Sequence, residues 1–206
     1  GIRTALASIL AQSGADPADI DAVMIGTTHF TNAVVERRGL QPVAALRIGL
    51  PASRSLGPFV DWPEDLRGSI KGAVFAVEGG HEYDGKPLVD LDEGAIADAG
   101  RAIARAGIRA ASVAAIFSPL TGACEERAQE ILAQECPDCS VTLSHRIGRG
   151  GLLERENAAL LNASLGPLAR HTTQAFRDAL AGSGLEAKLY LTQNDGTLLG
   201  LDEAAR

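Results

Sequence analysis

The chain has 206 residues, a formal charge of −7, 46% hydrophobic and 22% charged residues, and only 4% aromatics. That is an ordinary globular composition, enough for one large domain or two small ones, with a core mostly of Ala, Leu, Ile and Val. The acidic balance argues against a nucleic-acid surface, which needs a basic stripe, and no apolar run approaches a membrane span, so the cytoplasm is the expected compartment.

Residues 2–12 place Ile2, Ala5, Leu6, Ile9 and Leu10 on one helical stripe, closed by Gly14 and followed by an Asp16-Pro17 turn. Asp21–Ile25 reads as a buried strand, and Gly26-Thr27-Thr28-His29 as the turn into a helix that runs to about Arg37 and stops at Gly39. Pro42–Ile48 reads as a second buried strand, making residues 21–48 a βαβ unit. From Gly49 to Gly68 the chain is irregular, with three prolines, the only tryptophan (Trp62) and the acidic turn Pro63-Glu64-Asp65. A loop of that length is functional or marks a boundary. Ile70–Val77 reads as a strand, and with a short strand near Pro87–Val89 across the Gly79–Gly85 turn it predicts a β-hairpin.

Regular alternation then returns. Asp92–Ala106 is a predicted helix with Ile96, Ala99, Ile103 and Ala106 on one face, Ser112–Phe117 a strand, Cys124–Gln134 a helix and Ser140–Leu143 a strand. Residues 153–181 carry a long helical pattern interrupted at Gly166-Pro167, which predicts two helices or a marked kink. Lys188–Gln193 is the last predicted strand. The fold expected is α/β, a mostly parallel sheet with helices on both faces and a small β-hairpin insertion.

Two turns stand out because each follows a strand, where open α/β sheets place ligands. In Gly26-Thr27-Thr28-His29-Phe30-Thr31-Asn32, free helix-start N–H groups and several hydroxyls suit an anion or a polar substrate. The same threonines equally serve as ordinary caps. In Thr192-Gln193-Asn194-Asp195-Gly196, Asn and Asp before Gly are standard turn chemistry. Alternatively, Asn194 and Asp195 project toward the crevice of Thr27 and Thr28 and supply a carboxylate for base or metal duty. Arg155 either binds a substrate carboxylate or phosphate in two-pronged fashion or pairs with Glu154 or Glu156 on the surface. His29, inside the turn, outranks His81 and His171 as a site residue. Cys136-Pro137-Asp138-Cys139 has C-x-x-C spacing but neither a second ligand pair nor a helix start beneath it, and reads as two reduced thiols.

Taken together, Gly26-Thr27-Thr28, Thr31-Asn32-Ala33 and Glu36-Arg37-Arg38-Gly39 resemble a signature of the hydantoinase A/5-oxoprolinase family. Further resemblances follow in the same order at Ser144-His145-Arg146-Ile147, Leu153-Glu154-Arg155-Glu156-Asn157, Leu161-Asn162-Ala163 and Thr192–Gly196. The resemblance implies part of an actin/sugar-kinase-like (ribonuclease H-like) ATPase fold, divided as residues 1–50, an irregular and hairpin segment 51–90, and an α/β segment 91–206. It implies ATP-dependent opening of a cyclic amide such as a hydantoin or 5-oxoproline. There ATP phosphorylates the amide oxygen, water attacks the activated carbon and Mg²⁺ neutralises phosphate charge.

On that reading Asp195 and Thr28 are catalytic, Thr27, His29, Asn32, Arg155 and Asn194 bind substrate, and the metal ligands are unassigned. A hydantoinase B-type subunit and further copies of the chain are the expected partners, with no role for nucleic acid or membrane. The family also includes subunits of ATP-dependent ketone carboxylases, so the alternative is a scaffold or partner-docking domain of such a complex. The family's Asp-x-Gly-Gly-Thr-x-Thr-Asp phosphate loops are not found in this chain, which opens on Gly1. The expectation is therefore an interior fragment of the N-terminal half, inactive alone and with no nucleotide bound.

Overall fold

The computed structural model describes residues 2–26, 28–193 and 196–201. In chain order the first elements are α1 (Ile2–Ser13), β1 (Ala22–Gly26), α2 (His29–Glu36), β2 (Val43–Leu50), α3 (Glu64–Ile70) and β3 (Lys71–Glu78). There follow α4 (Glu93–Arg105), β4 (Ala110–Ala115), α5 (Ala123–Glu135), β5 (Ser140–Leu143), α6 (Ser144–Ile147), α7 (Leu152–Ala181), β6 (Lys188–Thr192) and β7 (Leu198–Gly200). The backbone sorts into two units, one combining Gly1–Val35 with Gly166–Arg206 and the other comprising Glu36–Leu165. Local chemistry sets the element ends. Asp92 accepts from the Ala95 N–H at 2.8 Å and caps α4, while Gly14 takes φ +64° and returns its N–H to the Leu10 carbonyl, closing α1.

The Glu36–Leu165 unit is built on a parallel sheet of order β3-β2-β4-β5. Its two inner strands, β2 and β4, are buried along almost their whole length, which is why they read as continuous apolar runs rather than alternating ones. Leu46, Ile48 and Val113 pack there with Ile96 and Ile103 of α4 and Leu132 of α5. In the other unit β1 lies parallel to β6, from Ala22↔Lys188 to Gly26↔Thr192, and β7 runs antiparallel to β6. Phe176, Leu191 and Leu201 form its core, with Ile25, Phe30 and Leu189 against them. No described helix is long and apolar enough to cross a membrane.

Several sequence expectations change. Strands β1 and β2 do not make a βαβ unit, because they belong to different sheets. An apolar run announces a strand but not its partner, and the partner of β1 is β6, far along the chain. Ile70 ends α3 rather than starting a strand, and β3 pairs in parallel with β2. With β3 so engaged, the expected hairpin is reduced to the single bridge His81↔Pro87 in a tight loop. The helix α7 continues through Pro167 as one element. Proline removes the N–H that would bond the carbonyl four residues earlier, here that of Ala163. Gln41 replaces it, its side-chain Nε2 donating to the Ala163 carbonyl at 2.8 Å and its backbone N–H to Ser164 at 3.0 Å.

Candidate functional site

The parallel register of β1 and β6 sets the first constellation. Since Gly26 sits opposite Thr192, the segments that leave the two strands emerge at the same end of that sheet. Thr28 occupies the cap position of α2, where its carbonyl accepts the Asn32 N–H at 2.8 Å. The Asn32 side chain also donates to the Thr28 hydroxyl at 3.3 Å. That hydroxyl keeps its own proton available to donate. The N–H groups of Phe30 and Thr31 precede the first i→i−4 bond of α2, which runs from Asn32 to Thr28. His29 opens α2 and is exposed, as are Thr28 and Asn32. Thr27, Asn194 and Asp195 lie outside the described residues. Beyond β6 the chain turns, with Gln193 donating to the Thr197 carbonyl at 2.8 Å and Gly196 at φ +84°.

Arg155 belongs to the other unit and has a different setting. It is 3% exposed. Its Nε donates to Ser144 Oγ at 3.2 Å, its Nη1 to the Gly150 carbonyl at 2.8 Å, and its Nη2 to the Ala115 carbonyl at 2.8 Å and to Ser118 Oγ at 3.0 Å. Burial pushes its pKa down, opposed by the carboxylates of Glu125, Glu154 and Glu156. The sequence offered a surface pair with Glu154 or Glu156; instead Glu156 is buried and bonds Arg47, whose Nε donates to Glu156 Oε1 at 2.8 Å. Asn157, next in the motif, accepts from Trp62 Nε1 at 2.8 Å. Three consecutive residues thus tie α7 to β4, to β2 and to the irregular 51–62 segment.

Glu125 was not among the expected site residues. It is fully buried, accepting from the Ala115 N–H at 2.8 Å, Ser144 Oγ at 2.6 Å, and the His145 N–H and Nδ1 at 3.0 and 2.7 Å. A glutamate in a first helical turn reads as a dipole partner, so nothing in its pattern marks it as interior. Arg47 did carry a signal: a charge within an otherwise apolar buried strand demands a partner. His145 sits on α6, directly after β5.

Next to this network is a cavity of about 540 Å³, lined by Arg155 and Arg149 together with Ile116, Phe117, Leu120 and Leu152. The cysteines are free thiols. Burial raises the Cys136 pKa and pushes that of Cys139 up to about 12, so both stay protonated and unreactive near neutrality. Among the described residues no three His, Cys, Asp or Glu side chains converge to hold a metal.

The Hydantoinase/oxoprolinase N-terminal region model matches residues 1–136. The chain belongs to the hydantoinase/oxoprolinase family. The fold is also that of two solved structures. One is the ATP-dependent caprolactamase from Pseudomonas jessenii, with TM-score 0.75 and 23% identity over 96% of this chain and 30% of that one. The other is nucleotide-free acetone carboxylase, with TM-score 0.73 and 17% identity over 96% of this chain and 31% of that one. This family member thus spans about three-tenths of either solved chain. No curated protein sequence matches it.

Proposed function

We propose that the full-length protein is an ATP-dependent hydrolase that opens a cyclic amide, and that its substrate rim is the β1–β6 end of the smaller sheet. The observation that supports this reading is the register Gly26↔Thr192, because the strands that precede the two family-like turns in sequence run parallel and end side by side. On this reading Thr28 and Asn32 hold the ring amide through a hydroxyl and a carboxamide, with Thr27, His29 and Asn194 as further polar contacts. Asp195 orients the attacking water or accepts its proton. As the carbonyl carbon becomes tetrahedral its oxygen gains charge, and donors fixed beforehand at that point stabilise the transition state more than the substrate. Thr28, fixed at the head of α2 and holding a free hydroxyl proton, is suited to that task. Arg155 has one Nη1 N–H left beyond its four protein contacts, and on this reading it mainly ties the 115–118 and 144–150 segments to α7. The complete enzyme works in the cytoplasm with a hydantoinase B-type subunit and self-associates.

The test is steady-state kinetics of the full-length enzyme on a panel of lactams and hydantoins. Removing one oxyanion donor costs about 3 kcal/mol, roughly a hundredfold in kcat, and Thr28→Ala or Asp195→Asn should each fall by about that factor while circular dichroism stays unchanged. Wild-type turnover in both variants would return these turns to ordinary capping chemistry.

A further inference from the structure

In the sheet β3-β2-β4-β5, successive strands are laid down on one side of β2 and then on the other. The order reverses between β2 and β4, and in open α/β sheets the crevice outside the carboxyl ends at such a reversal is where ligands bind. Ile116 leaves β4 at that point. Its N–H donates to the Ile48 carbonyl of β2 at 3.0 Å, and its own carbonyl accepts from His81, beyond β3, at 3.4 Å. It is also wedged in place: a Cβ at Gly49 or Gly80 would come within 2.8 and 2.5 Å of Ile116 side-chain carbons. The roughly 540 Å³ cavity opens here, within the size range of small-molecule sites.

Its lining is chemically one-sided. Ile116, Phe117, Leu120 and Leu152 supply apolar surface, and Phe117 and Leu120 remain 48% and 59% exposed. The charged members are both cations, Arg149 and Arg155, and among the described residues no carboxylate lines the space. Arg155 is held rigidly by the protein, its charge balanced at one remove through Ser144 and Glu125. Arg149 has no hydrogen bond or ion pair among the described residues, and it is exposed. Next to it the Glu154 carboxylate is folded against Gly151, where a Cβ would meet its Oε2 at 2.3 Å. The start of α7 is therefore already served by an internal carboxylate, and the charge left without a partner at the mouth is that of Arg149.

We infer that this cavity is a second binding site, independent of the β1–β6 rim, for a small organic monocarboxylate: an apolar body against Phe117, Leu120 and Leu152 with its carboxylate on Arg149. A single unpaired guanidinium matches a single negative charge. Beside the two arginines the lining offers one further polar side chain, the exposed Tyr83, too few partners for a polyhydroxylated ligand, whose buried hydroxyls would go unpaired.

The test is a titration of the isotope-labelled 206-residue chain, followed by amide chemical shifts, with hexanoate, hexanol and inorganic phosphate as probes. Hexanoate should shift the amides of residues 116–118, Leu120 and 149–152 and bind about fivefold more tightly than hexanol, the contribution of a part-exposed ion pair. Arg149→Gln, an exposed substitution outside the core, should erase that advantage and leave hexanol binding unchanged. Four results would each overturn the assignment. These are equal affinity for hexanoate and hexanol, unaltered hexanoate binding in Arg149→Gln, phosphate bound as tightly as hexanoate, and no shifts at these residues.

Discussion

Arg47 and Glu156 meet where neither reaches water: both are almost fully buried, on β2 and α7 respectively. Arg47 also donates to the Leu56 carbonyl, so one guanidinium fixes a strand, a helix and the start of the irregular segment. Taking two charges out of water is costly, and their attraction offsets that only while both are present. Glu156→Ala should therefore destabilise the chain by about 3–5 kcal/mol, because it strands the Arg47 charge in the interior. The double variant Arg47→Met with Glu156→Leu should lie far closer to wild type, since it removes both charges and retains volume. Urea unfolding followed by tryptophan fluorescence checks this, Trp62 being bonded to neighbouring Asn157. A single variant as stable as the double would mean that the pair is solvated. The sequence permitted this inference for Arg47, whose charge interrupts an apolar strand. It did not for Glu125 or Glu156, whose helical positions look the same whether they face solvent or the interior.

The long helix α7 shows how one element overrides its own sequence. Gly166-Pro167 predicted two helices or a marked kink, and the structure carries one helix through, with Gln41 bonding the two carbonyls at the lesion. Helix periodicity and the proline were legible in the chain; a glutamine more than a hundred positions away was not, because nothing local ties Gln41 to Pro167. The same limit explains why strand ranges were readable and strand partners were not: β1, β2 and β6 are all apolar runs, and only tertiary pairing separates them into two sheets. Gln41→Ala should cost about 1–2 kcal/mol, since the Ala163 carbonyl loses its partner. In a Pro167→Ala background the restored N–H takes over that carbonyl and the cost should largely vanish. A double-mutant cycle by thermal unfolding should then give a coupling of about 1 kcal/mol. Strict additivity of the two substitutions would show that Gln41 does not compensate for the proline.

At the scale of the whole molecule, the two units differ in how they are assembled. Glu36–Leu165 is continuous in sequence and keeps its inner strands wholly buried. The other unit is drawn from both ends of the chain, and its strands β1 and β6 are only partly buried. Local opening takes the least free energy where few apolar groups are buried and backbone bonds lie near solvent. Joining distant segments also carries a loop-closure entropy that a continuous unit avoids. Binding elements are commonly drawn from this less stable end of a structure, because a site that must admit and release a ligand has to move. The proposed substrate rim at Thr28 lies in the discontinuous unit, so function and lower local stability would coincide there. Native-state hydrogen exchange should therefore find the slowest amides in β2 and β4, at Leu46, Ile48 and Val113. Those of β1 and β6, from Val23 to Ile25 and Leu189 to Leu191, should exchange faster through a separate opening. Equal protection in both sheets, with one common response to denaturant, would mean that the chain opens only as a whole and that the rim gains no freedom from its place in the fold.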